Sequence, residues 1–278
     1  MIKMTMNMAN CTTFIFDLDG SVYSGSRMYP GVQELLRLLD LKQKQIYFLS
    51  NNSTDTAETI REKLRGMGLA VQRSSILVAT ELVGDYLLEK YGIVRVKTFG
   101  TPALQHSIKS AGHIILSVGS KNPCDVVVVG RDPSFTYEKL HDCARSLTEG
   151  VKLVAVNPDL YHPGEDGSRV PETGALISAI QAVSGATELE SVGKPYYYSF
   201  KKIMEQSSVK PQSCIMIGDN PYTDIQGGYL AGMHTVWISH GQPFPLDLGF
   251  KPDITIPSIG ELVHYLLIEE VMHLEGNF

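Results

Sequence analysis

Short apolar runs of strand length alternate with helix-period segments along most of this chain, and that alternation limits what it can fold into. Phe14-Ile15-Phe16 and Ile46-Tyr47-Phe48-Leu49 read as buried strands. Between them Val32, Leu35, Leu36 and Leu39 recur at i, i+3, i+4 and i+7, one face of a helix entered just after Pro30. Beyond the second run, Asp55 followed three residues later by Glu58 predicts a helix N-terminus, with Ile60, Leu64 and Met67 on its apolar side. Strand, helix, strand, helix implies right-handed crossovers and a parallel sheet.

The pattern recurs twice more. Val94 to Phe99, Ile114 to Leu116, Val126 to Val129 and Leu153 to Val156 are strand candidates, and four consecutive valines before Gly130 suit a strand covered on both faces. Ile215 to Ile217, Thr235 to Ile238 and Ile254 to Ile256 follow, with a last amphipathic helix over Ile259 to Leu274. Roughly ten strands are more than one compact sheet usually carries. Two α/β domains fit better, and with 43% hydrophobic residues in 278 the chain can fill both cores. No Gly/Ser-rich linker marks where one domain ends.

Charge narrows the partners. Lys plus Arg number 24 against 30 Asp plus Glu, a net charge of −6, so no nucleic acid and no membrane surface is expected as a partner. Cys11, Cys124, Cys143 and Cys214 are scattered without a C-x-x-C pair, which reads as buried free thiols in a reducing compartment. Met1 to Cys11 holds one lysine and no apolar run, so no secretory signal is expected there, and a cytoplasmic location follows as an expectation. The eight histidines, His141, His162, His234 and His240 among them, fall into no metal-ligand spacing; His162 and its neighbour Tyr161 are the ones to test for substrate contact.

Four short segments stand after predicted strands, where open α/β sheets bind ligands: Asp17-Leu18-Asp19-Gly20-Ser21, Ser50-Asn51-Asn52, Gly193-Lys194-Pro195, and Gly218-Asp219-Asn220 continuing to Asp224. A carboxylate at Asp17 is ionised at neutral pH and can attack phosphorus without a separate base. Asp19, two residues on, can then protonate the leaving alkoxide. Gly20 lets the chain turn and offer amides to a phosphoryl oxygen. Asp219 and Asp224 are suited to a hard cation. Ser50 supplies a hydroxyl, the amides of Asn51 and Asn52 lie at a strand-to-helix junction, and Lys194 adds a point positive charge. Each segment also has a plainer reading: an Asp-Gly turn, a helix cap at Asp224, loop chemistry in Ser-Asn-Asn-Ser, a surface lysine before proline. Their joint occurrence in this order favours the chemical one.

On these four motifs, matched in order over essentially the whole chain, the sequence resembles the haloacid dehalogenase (HAD) superfamily, in particular the NagD/p-nitrophenyl phosphatase type. The resemblance implies a Rossmann-like parallel-sheet core over residues 1–79 plus 190–278, with an inserted α/β cap over 80–189. It implies a phosphoric monoester hydrolase that acts on small phosphorylated metabolites such as sugar, polyol or nucleotide monophosphates. Asp17 would be the nucleophile and Asp19 the general acid/base. Ser50 would bond the phosphoryl group, and Lys194 would bridge that group and Asp17. Mg2+ would be held by Asp17, the backbone carbonyl of Asp19, and Asp219, with Asp224 in support. Ser21 stands where the family usually has threonine, which keeps the hydroxyl.

In the cap, Asn157-Pro158-Asp159 resembles the family's signature, implying substrate contacts from Asn157 and Asp159. Two departures follow. Pro171-Glu172-Thr173-Gly174 replaces Pro-Gly-x-Gly, and Arg131 stands where an apolar or aromatic residue is usual. Arg131 is either a partner for a second anionic group of the substrate or a solvated surface charge. Cap surfaces often contribute to dimers in such folds, so a homodimer is among the expected partners. Phosphotransfer to a second hydroxyl, a phospho-accepting signalling module and a regulatory protein without turnover are the alternatives. Asp19 and the inserted domain count against the signalling module, which lacks both.

Overall fold

The computed structural model describes residues 8–164 and 168–275. The first seven residues, which include most of the segment read above as lacking a secretory signal, lie outside the described residues. The chain divides into two compact units, one comprising Met1–Ser50, Arg61–Ile76 and Phe200–Phe278, the other Asn51–Ile60 and Leu77–Ser199.

The first unit is built on a sheet ordered Ile254–Ile256, His234–Ile238, Cys214–Gly218, Thr13–Phe16, Gln45–Ser50, with Ile76–Val78 at the far edge where the chain leaves the unit. The first five strands pair in parallel. Thr13–Phe16 is central and wholly buried, as an unbroken apolar run requires. The Val32–Leu41 helix buries Val32, Leu35 and Leu39, three of the positions its periodicity predicts. A two-stranded hairpin, Tyr23–Ser24 against Arg27–Met28, follows the first strand and carries no sequence signal strong enough to foresee.

The second unit has its own all-parallel sheet, ordered Glu190–Ser191, Lys152–Ala155, Val126–Val129, Arg95–Phe99, Ile114–Leu116. The four valines are all buried at its centre. An antiparallel hairpin pairs Tyr161–Pro163 with Arg169–Pro171, and the Thr173–Ser184 helix follows it. A buried ion pair ties this unit together. Lys97 Nζ lies 3.0 Å from Asp142 Oδ1, and their side chains are 3% and 5% exposed.

One local expectation needs correcting. The helix beginning at Ala57 is capped by Thr56, whose Oγ1 accepts from Thr59 N at 3.2 Å, and not by Asp55. Asp55 instead accepts from Asn52 Nδ2 at 2.8 Å, inside the loop. All four cysteines are free and buried. Burial, reinforced by Cys11 nearby, pushes the Cys214 thiol up to about 12. No helix among the described residues is long and apolar enough to cross a membrane.

Candidate active site

In the first unit, strand register brings three motifs to one end of the sheet. Phe16 stands opposite Ile217 on one side and Phe48 on the other. Asp17 is therefore level with Gly218, its N–H donating to Ile217 O at 2.9 Å, while Ser50 and Asp219 each lie one residue beyond. This is the C-terminal end of parallel strands, where such sheets bind ligands. Asp17 is 8% exposed and Asp224 1% exposed, and a carboxylate oxygen from each, with one from Asp219, all fall within 4.8 Å of one another.

Two glycines permit that crowding. A Cβ on Gly20 would overlap the Asp219 carboxylate, and one on Gly218 would overlap that of Asp224. Gly20 also has φ +92°, a conformation other residues adopt only with strain. Neighbours then fix Asp219 and Asp224. Ser21 Oγ donates to Asp219 Oδ1 at 3.1 Å, and Trp237 Nε1 donates to the Asp219 carbonyl at 2.9 Å. Asp224 Oδ2 accepts from Asn220 N at 3.0 Å.

Unit charges within 4.8 Å of one another repel by about 3 kcal/mol or more per pair at an effective dielectric of ~20. Three carboxylates so placed make a hard-oxygen donor set that a divalent cation would stabilise. Asp19 points elsewhere. Tyr23 OH donates to its Oδ2 at 3.1 Å, and Lys63 Nζ lies 3.9 Å from its Oδ1 and 3.9 Å from the centre of the Tyr23 ring. The Gly20 carbonyl accepts from His240 Nε2 at 2.8 Å. Sequence reasoning missed Tyr23, Lys63, Trp237 and His240. Tyr23 reaches Asp19 across the local turn four residues on, whereas Lys63, Trp237 and His240 gain a role only through tertiary contact.

In the second unit, Asn51 organises the remaining motifs. Its Oδ1 accepts from Lys194 N at 2.7 Å, and its Nδ2 donates to Lys194 O and to Asp159 Oδ2, each at 3.0 Å. Asn157 Nδ2 donates to the Asn51 carbonyl at 2.6 Å. So Asn51, Asn157, Asp159 and Lys194 are one cluster. Lys194 is 1% exposed, unlike the surface residue that a lone lysine before proline suggests. The Asn52 side chain turns into its own loop, accepting from Thr54 N and Asp55 N. Ser53 was not foreseen: its hydroxyl accepts from Arg131 N at 3.1 Å and from Thr173 Oγ1 at 3.3 Å.

Residues 14–114 match the family model for haloacid dehalogenase-like hydrolases, and residues 191–262 match a second, HAD-hydrolase-like model. Chronophin of Mus musculus is 35% identical over 232 residues, covering 80% of this chain and 78% of that protein. The chain is a haloacid dehalogenase-like hydrolase. The acid sugar phosphatase of Staphylococcus epidermidis is 29% identical over 234 residues, 84% of this chain and 88% of that protein. A solved structure of the 4-nitrophenylphosphatase of Thermotoga maritima superposes with a TM-score of 0.85 at 32% identity, covering 94% of this chain and 99% of that one. This HAD-like hydrolase is of the NagD/p-nitrophenyl phosphatase type, a phosphoric monoester hydrolase with an α/β fold.

Proposed function

We propose that this enzyme is a magnesium-dependent phosphatase of small phosphomonoesters that works through an aspartyl-phosphate on Asp17. The observation that carries the reading is the convergence of Asp17, Asp219 and Asp224 at one sheet end, beside a separately held Asp19. The donor set fits magnesium: Asp17, Asp219 and Asp224 offer carboxylate oxygens, and the Asp19 carbonyl would add another. When bound, the cation supplies charge neutralisation for an anionic nucleophile meeting an anionic substrate.

The chain's own residues do the rest. An Asp17 oxygen forms a bond to phosphorus while the ester P–O bond breaks, and Asp19 gives its proton to the leaving oxygen. Asp19 then takes a proton from water, whose oxygen attacks phosphorus and frees the Asp17 carboxylate. Tyr23 and Lys63 hold the Asp19 side chain in place for both transfers. Ser50, the amides of Asn51 and Asn52, and Lys194 are assigned to the phosphoryl oxygens; the Gly20 amide expected among them is not, because its N–H donates to the Tyr23 carbonyl at 2.8 Å. Asn157, Asp159 and Arg131 are assigned to the rest of the substrate, and the second unit is read as its substrate-selecting domain.

The test is hydrolysis of p-nitrophenyl phosphate with magnesium, with EDTA, and by Asp17→Asn. Turnover in magnesium alone, lost in the variant, is the expected result. Turnover that ignores EDTA removes the metal, and turnover that survives Asp17→Asn removes the nucleophile.

A further inference from the structure

Arg131 and Glu172, distant in sequence, meet in the second unit. Arg131 Nη1 lies 3.6 Å from Glu172 Oε1, and His162 Nδ1 lies 2.7 Å from that same oxygen. One hydroxyl fastens both partners' segments, since Ser53 Oγ accepts from the Arg131 N–H and from the Thr173 hydroxyl. Glu172 occupies the N-cap position of the Thr173–Ser184 helix, yet its side chain makes no cap bond. It turns to His162 and Arg131 instead.

The charge on Arg131 is not consumed by this arrangement. At 3.6 Å the contact is an ion pair beyond hydrogen-bond reach, so the guanidinium N–H groups are not spent on Glu172. Its sequence neighbour Asp132 is committed elsewhere, to Lys139 Nζ at 2.7 Å and to Ser134. The Arg131 side chain is 30% exposed, so it is held in orientation and still reachable.

Its place in the sheet says what it can reach. Lys194 follows the Glu190–Ser191 strand and Arg131 follows Val126–Val129, with only Lys152–Ala155 between them. Asn157 and Asp159 follow that middle strand. All three are parallel, so these residues share one sheet edge. At about 4.8 Å per strand the two outer ends stand roughly 10 Å apart. A lysine and an arginine rooted on strand ends so spaced, each with a side chain several ångströms long, can meet the two ends of a small molecule that carries an anionic group at each.

We propose that Arg131 is a specificity-determining residue that selects phosphomonoesters carrying a carboxylate, with Glu172 and His162 as the positioning residues that aim it. The guanidinium fork suits a carboxylate through paired N–H···O bonds, which a hydroxymethyl group cannot accept in the same way. This rests on the reading that Lys194 meets the phosphoryl group.

The experiment compares kcat/KM for 3-phosphoglycerate with kcat/KM for glycerol 3-phosphate, which differ by a carboxylate in place of a hydroxymethyl group. The wild type favours 3-phosphoglycerate, and Arg131→Ala lowers the ratio of the two by about 10- to 100-fold. Arg131→Lys keeps the charge without the fork and lowers it less, which decides the matter if the alanine variant does not fold. Glu172→Gln raises KM for 3-phosphoglycerate with little change in its kcat, as loss of aim requires. A ratio unchanged by Arg131→Ala or Arg131→Lys, or a wild type indifferent to the carboxylate while turning over both esters, overturns the proposal and leaves the phosphatase reading intact. Absence of any magnesium-dependent turnover overturns that reading instead.

Discussion

Gly20→Ala tests whether the close approach of Asp219 is what builds the acid cluster. Gly20 sits at φ +92°, and an alanine Cβ there would overlap the Asp219 carboxylate. Holding alanine in the left-handed region costs about 1–2 kcal/mol on its own. The carboxylate must also swing aside, giving up its bond from Ser21 Oγ and its station beside Asp17 and Asp224. Disturbing the groups that orient a metal ligand costs about 10- to 100-fold in metal affinity. The assay is a magnesium titration of p-nitrophenyl phosphate turnover, paired with urea melts in EDTA. The midpoint for magnesium should rise by about 10- to 100-fold, and the melt should lose about 1–2 kcal/mol. Gly25→Ala is the control, because Gly25 has φ +58° with nothing within 4 Å of its would-be Cβ. It should lose comparable stability and keep the wild-type magnesium midpoint. A Gly20→Ala enzyme with that same midpoint would refute the reasoning.

Three further outcomes follow from the geometry. Asp142→Ala strands the buried Lys97 ammonium and should cost about 3–5 kcal/mol in urea melts at neutral pH. Burial alone would raise the Asp142 carboxyl, but bonds from the Gly119 amide, Lys97 and Arg145 outweigh it and hold the group below its ordinary value. Its stabilisation is therefore complete above the unfolded-state value of about 3.9 and is lost as pH falls through the lower folded value, so the deficit should shrink on acidification below about pH 4. A deficit that persists unchanged in acid would deny the pair its role. Tyr23→Phe removes the hydroxyl that donates to Asp19 and should lower kcat on p-nitrophenyl phosphate by about tenfold while leaving the magnesium midpoint alone; an unchanged kcat would dissociate Tyr23 from proton transfer. Asn51→Ala removes the side-chain bonds to Lys194 N, Lys194 O and the Asp159 carboxylate, and should lower kcat/KM by about 10- to 100-fold, checked by steady-state kinetics; wild-type values would show that Lys194 needs no such brace.

Fold class was legible because the signal was long and repeated. Runs such as Val126–Val129 are short, β-branched and apolar throughout, which suits central strands, and both large sheets contain such runs. Short elements were not legible. The Glu190–Ser191 strand has two residues, and the hairpins at Tyr23–Met28 and Tyr161–Pro171 depend on tertiary pairing rather than apolar period. The Asp55 cap failed for a local reason: Asn52 claims that carboxylate, and Thr56 is left to cap the helix. At the candidate site, the acids were visible because the chemistry needs carboxylates at fixed offsets after strands. The residues that hold them were not: Lys63, Trp237 and His240 reach Asp19, Asp219 and Gly20 only through the folded chain, and Tyr23 reaches Asp19 through a turn that has no apolar period to announce it. Arg131 and Glu172 were each visible as oddities, and only the structure joins them.

Rapid-quench peptide mass spectrometry during p-nitrophenyl phosphate turnover shows whether Asp17 carries the phosphoryl group. The peptide containing Asp17 should gain the mass of one phosphoryl group, in an acid-stable, base-labile form that is absent from Asp17→Asn. Steady turnover with no phosphoryl group on Asp17, or with the label on a different residue, would rule out Asp17 as the nucleophile.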